Sequence, residues 1–140
     1  MSPLKKLVCV YMLGTAVAVA VFFIVSTFLG NVVSALVVWH VLDVLMLIGL
    51  ATALAFNIHH KVHVSVPDGN QAVTRAYLEA NATFYLTLGV SLVFLYNWFR
   101  FLNGSEGDVT NDIIWIIVDT MAPTALGVTG CRLWRESSRA

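Results

Sequence analysis

Hydrophobic positions in this chain do not alternate with polar ones. They run on in four blocks, Leu7–Leu29, Val32–Phe56, Ala76–Leu102 and Ile113–Leu133, with little sequence between them. Each block approaches or exceeds the ~20 residues with which a helix crosses a bilayer. The pattern predicts an all-α integral membrane protein, a four-transmembrane-helix bundle with short loops. Its spans lie at about 7–29, 32–56, 76–102 and 113–133, with a middle loop at 57–75, and all belong to one membrane domain, 1–140. Lys5 and Lys6 precede the first block, and Ala18-Val19-Ala20 has the form of a leader cleavage site. The apolar run nevertheless continues through Val21-Phe22-Phe23-Ile24-Val25. Leader peptides have apolar cores of roughly 7–15 residues, so this block reads as a retained span.

Composition sharpens this picture. Of 140 residues, 59% are hydrophobic and 11% charged, against about 25% charged in soluble domains. A formal net charge of zero gives no general attraction for nucleic acid. Cys9 and Cys131 form no C-x-x-C and no Cys/His cluster, and they read as small packing residues. The absence of cysteine pairs excludes thiol–disulfide exchange. Nucleotide loops, H-E-x-x-H and Gly-rich phosphate cradles are also absent from the sequence.

The few charges set an orientation. Lys5 and Lys6 precede span one, Lys61 and Arg75 lie between spans two and three, and Arg132, Arg135 and Arg139 close the sequence. The first link, near Gly30-Asn31, is uncharged, and the third, Asn103–Asp112, is acidic. The positive-inside rule puts both termini and the middle loop inside a bacterial or archaeal cytoplasmic membrane. Only Arg100, at the outer end of span three, disagrees. Trp39, Trp98 and Trp115 toward the outer ends and Trp134 at an inner end suit the interfacial preference of indole rings.

Within the spans, Pro123 leaves the Asp119 carbonyl without its helical donor and predicts a kink. Gly14-x-x-x-Ala18, Gly49-x-x-x-Ala53 and a stripe of Thr120, Thr124, Gly127, Gly130 and Cys131 predict close helix packing. In the middle loop, Lys61-Val-His-Val-Ser-Val66 alternates apolar and polar residues, and Pro67-Asp68-Gly69-Asn70 reads as a turn. That alternation predicts an extended segment. His59, Lys61, His63 and Ser65 would then form a partner-binding loop able to join another sheet edge, or an ordinary linker on the headgroups.

Ionisable residues inside a span are rare and face an interior, a cavity or one another. Here His40, Asp43, Asn97, Arg100 and Asp119 form a candidate polar cluster, with Glu79 and Asn81 elsewhere in span three. Counting ~1.5 Å per residue sets His40 and Asp119 roughly 10–13 Å below the outer surface. Three readings compete. Arg100 neutralises Asp119 while His40 bonds Asp43, as a structural unit. Alternatively, His40, Asp43 and Asp119 ligate Zn, Fe or Mn. In the third reading, the acids and His40 relay protons or line a quinone pocket. A bis-histidine haem is excluded within one chain, because His40 is the only deep histidine. Glu79 should pair with Arg75 one turn earlier.

No motif identifies a family. The leading functional expectation is a small accessory subunit of a larger membrane enzyme complex, respiratory or membrane-bound oxygenase, contributing packing and assembly and without catalytic activity of its own. One alternative is a redox, metal- or quinone-binding membrane subunit using His40, Asp43 and Asp119. The other is a homo-oligomeric transporter with Asp43 as its proton-coupling acid.

Overall fold

A computed structural model of the protein describes residues 3–29, 35–64, 72–104 and 109–138. These form four helices: α1 Pro3–Leu29, α2 Ala35–His63, α3 Arg75–Leu102 and α4 Val109–Ser138. All four are long and apolar enough to cross a membrane. At ~1.5 Å per residue each helix runs about 40–45 Å, beyond the ~30 Å of bilayer hydrocarbon, so its ends reach headgroup depth.

Local chemistry sets the helix ends. Pro3 opens α1, where a missing N–H costs nothing. Thr74 caps α3, its Oγ1 accepting from the Tyr77 amide at 3.2 Å. Gly104 ends that helix with φ +71°, the left-handed turn that glycine adopts without strain.

The end of α2 corrects the sequence reading. The helix continues seven residues past Phe56, through His63, so Lys61 and His63 are helical rather than strand-like. Extending a formed helix adds a backbone bond per residue, whereas a lone strand leaves those groups unmet. His60, Lys61 and His63 occupy the last turn, where cations complement the helix dipole. Lys61 also lies over two rings of α3, 4.2 Å from the Phe84 centroid and 4.1 Å from that of Tyr85. Ser65 and the turn at 67–70 lie outside the described residues.

Among the described residues, α1 packs chiefly on α4 and also touches α2. Helix α3 touches α2 and α4, and α2 touches α4, but α1 and α3 do not meet. The cross-section is thus a rhombus whose short diagonal is the α2–α4 pair. Buried positions recur at helical spacing: Cys9, Met12, Ala16 and Val19 on α1, and Leu42, Met46, Leu50 and Ala53 on α2. On α4 they are Val118, Ala122, Ala125, Leu126 and Leu133. The α3 face is more polar. Thr83, Thr87 and Ser91 donate to carbonyls one turn back at 2.8, 2.7 and 2.6 Å, so each buried hydroxyl is satisfied within its own helix.

Bulky apolar side chains cover the outside. Val17, Ile24, Leu36, Val41, Ile48, Leu92 and Ile116 are all exposed, as a lipid-facing surface requires. The predicted small-residue stripes divide. A Cβ on Gly49 would stand 3.1 Å from a Leu126 methyl, and one on Gly130 would stand 3.0 Å from Leu13 Cγ. Gly14 and Gly127 would meet nothing within 4 Å, and Ala18, Thr120, Thr124 and Cys131 are exposed. The stripe on α4 therefore faces away from the core, apart from Gly130.

Candidate functional site

The α2–α4 diagonal gathers the intramembrane polar residues. Near the ends of the bundle where α1 finishes and α2 begins, a cavity of about 300 Å³ is lined by His40 and Asp43 from α2 and by Asp119 from α4. Trp39, Trp115 and Phe101 supply aromatic walls, and Phe23, Ser26 and Thr27 of α1 close one side. His40 and Asp43 share a helix face at a spacing of three, and the α2–α4 contact brings Asp119 to the same space.

Both carboxylates are 6% exposed. Neither has an ion-pair partner among the described residues, and Asp119 Oδ1 has no hydrogen-bond partner. His40 is exposed to the cavity, and its Nδ1 stands 2.6 Å from the Leu36 carbonyl oxygen. A carbonyl only accepts, so Nδ1 carries a proton, which in the uncharged form of the ring leaves Nε2 as the acceptor. The ring also packs against Phe101 at 5.1 Å. Further aromatic contacts stiffen the region: Phe22 meets Trp39 edge-on at 5.0 Å, and Phe94 meets Trp115 at 6.2 Å.

The two remaining members of the expected cluster stand apart. Arg100 does not neutralise Asp119; its guanidinium lies 6.0 Å from the ring centroid of Tyr96 on its own helix. A long arginine near a helix end gains more by reaching the interface than by entering an apolar interior. His40 likewise bonds backbone rather than Asp43. Asn97 is fully buried, and neither polar atom of its amide has a partner among the described residues. Nor do His40, Asp43 and Asp119 form a ligand set: among the described residues no three His, Cys, Asp or Glu side chains are grouped to hold a metal ion. Three ligands must converge within about 2.0–2.2 Å of one point, and residues spread around a cavity wall do not.

One buried polar unit escaped the sequence reading. Asn57 donates through Nδ2 to Thr87 Oγ1 at 2.8 Å and to Thr129 Oγ1 at 3.1 Å, tying α2 to both α3 and α4. Its signal was present in the spacing, because Asn57 continues the buried series Met46, Leu50, Ala53 by one more turn. Arg75 and Glu79 do not pair; the ion pair among the described residues is Arg132 with Glu136 at 3.5 Å.

The arrangement can hold a small, largely apolar molecule by one polar end. Two carboxyl groups and an imidazole nitrogen offer donors or acceptors according to protonation, and the aromatic walls offer π faces. No family model, curated protein or solved structure matches the chain.

Proposed function

We propose that this protein is a membrane subunit that holds the headgroup of a quinone-type amphiphile between α2 and α4. One observation carries the reading: His40, Asp43 and Asp119 open onto the same aromatic-walled cavity. The volume suits it. Ligand pockets run from about 300 to 1,000 Å³, and this one, at about 300 Å³, has room for a substituted ring but not for a long tail. The tail would lie among the exposed apolar side chains outside. The acceptor at His40 Nε2 can take a hydroquinone hydroxyl, and a protonated Asp119 can donate to a quinone carbonyl. Together the three side chains can accept and return the two protons that accompany two electrons in quinone–hydroquinone exchange.

The electrons come from a partner. We assign the chain to a larger respiratory or oxygenase-type assembly whose redox subunit reduces or oxidises the bound ring, with this subunit contributing the pocket and the proton-carrying groups. The closed middle of the bundle favours binding over passage. Met46, Leu50, Ala53 and Leu126 are almost wholly buried beyond Asp43, and the Asn57–Thr87–Thr129 unit follows them.

Trp39 and Trp115 line the cavity, so a short-chain quinone should quench the fluorescence of nanodisc-embedded protein saturably. His40→Ala and Asp119→Ala should each weaken that binding about tenfold, the upper end of what one hydrogen bond between uncharged groups contributes, with helix content unchanged. Linear, unsaturable quenching shared by the wild type and both variants would defeat the proposal.

A further inference from the structure

At the opposite end of the bundle, where α1 begins and α4 ends, lies a second cavity of about 590 Å³. Lys5, His59, His60, His63, Arg132 and Glu136 line it, over an apolar floor that includes Phe56 and Leu133. Its unusual member is Arg132. This residue is 6% exposed, yet its Nε and Nη1 lack hydrogen-bond partners among the described residues. The Glu136 carboxylate approaches Nε only at 3.5 Å, and that side chain is 50% exposed, free to turn toward solvent. Buried guanidinium donors are costly to leave unpaired, and an oxygen-rich anion facing into the cavity would pair them.

Three histidines and Lys5 line the same cavity as these donors. His63 Nδ1 stands 2.7 Å from the His59 carbonyl oxygen and so donates to it, and the two ring centroids lie 4.0 Å apart with the planes tilted by 38°. This fixes the ring of His63 and leaves its Nε2 for another partner. Lys5 and Arg132 outnumber Glu136 before any histidine is protonated. Planar guanidinium donors match the oxygens of a phosphate. Phe56 and Leu133 suit an apolar continuation of the same molecule, and Trp134, 48% exposed beside Leu133, is a residue favoured at headgroup depth.

We propose that this end cavity is a phosphate-oxyanion site, with Arg132 as its central donor and Lys5 and the histidines as its rim, and that an anionic lipid headgroup is the natural source of the phosphate. It is independent of the quinone-type pocket, which lies at the other end of the bundle.

The test uses the full chain in phosphatidylcholine nanodiscs, titrated with phosphatidic acid in one arm and inorganic phosphate in the other, with the thermal unfolding midpoint as readout. Phosphatidic acid should raise the midpoint saturably. Arg132→Gln should weaken the apparent affinity at least about tenfold, and Lys5→Gln, at an exposed position, about two- to fivefold. Glu136→Gln, which removes the competing carboxylate, should tighten it. Should Arg132→Gln fail to fold, the opposite signs of Lys5→Gln and Glu136→Gln still decide. A response to phosphatidic acid alone supports the lipid source. An equal or larger response to inorganic phosphate supports the oxyanion site and transfers it to a soluble ligand. No response in either arm, or responses that the Lys5 and Glu136 variants leave unchanged, would overturn the site.

Discussion

The hydrogen bond from His40 Nδ1 to the Leu36 carbonyl decides what that imidazole can do: it fixes the tautomer and leaves Nε2 to the cavity. Asn57 makes a comparable decision for the core. It is fully buried and bonded to two other helices. Interhelical side-chain bonds in membranes contribute about 0.6 kcal/mol on average and up to about 1.7. Asn57→Ala breaks two of them and should cost about 1–3 kcal/mol, whereas Thr129→Val, which removes one, should cost less; equilibrium unfolding in mixed micelles measures both. The polar positions were unevenly legible in the sequence. His40, Asp43 and Asp119 stood out because charge inside an apolar run is expensive and therefore conspicuous. The partner of Arg100 was not legible, because a long side chain near a span end can reach inward or outward and composition does not choose. Asn57 is uncharged and sits at the edge of a run, so only its spacing from Ala53 and Leu50 marks it as buried.

At the scale of the element, the glycines separate those that packing needs from those it does not. At Gly130 an added methyl meets Leu13 Cγ at 3.0 Å and Met12 Cβ at 3.4 Å, atoms near the backbone of α1 with little room to yield. Gly130→Ala should therefore destabilise the α1–α4 contact by about 1–3 kcal/mol, as overpacked cores do. Gly49→Ala meets only the far end of Leu126 and should cost less. Gly14→Ala and Gly127→Ala, with open space around them, should be neutral or slightly stabilising, by up to about 1 kcal/mol of helix propensity. Equal losses at all four positions would contradict the packing described. From sequence the four glycines looked alike, since a small-x-x-x-small spacing shows that a close approach is allowed and not which face makes it. The end of α2 departs from the sequence expectation for a related reason. Alternation in six residues, Lys61–Val66, satisfies a strand pattern, but a helix already formed needs no new nucleus to continue. Lys61 also gains two aromatic faces by staying helical.

At the scale of the molecule, the number of long apolar helices was legible because hydrophobic run length sets it, but their ends were not, since α2 runs on to His63 and α4 covers Val109–Ser138. The α2–α4 diagonal was not, because all four runs are apolar all round and no moment says which helices sit at the short diagonal. That diagonal is what unites Asp43 with Asp119. Lys5 and Glu136 line one cavity, so the N-terminal and C-terminal helix ends share one side of the bundle. In a background lacking Cys9 and Cys131, Lys5→Cys and Ser138→Cys should react with an impermeant thiol reagent from the same membrane face, and Gly104→Cys from the other. On the positive-inside expectation the first face is the cytoplasmic one, so reagent added to sealed cells should label Gly104→Cys alone. Labelling of all three from one face would refute the four-span topology.

The most direct measurement is photo-crosslinking of an azido-quinone to the protein in its native membrane, followed by peptide mapping and identification of the subunits that co-purify with it. Labelling is expected on the peptides carrying Trp39–Asp43 and Trp115–Asp119, competed by unlabelled quinone and reduced in Asp119→Ala, in a particle that also contains a larger redox subunit. Labelling spread evenly over the lipid-facing side chains, indifferent to competitor and to Asp119, would contradict it.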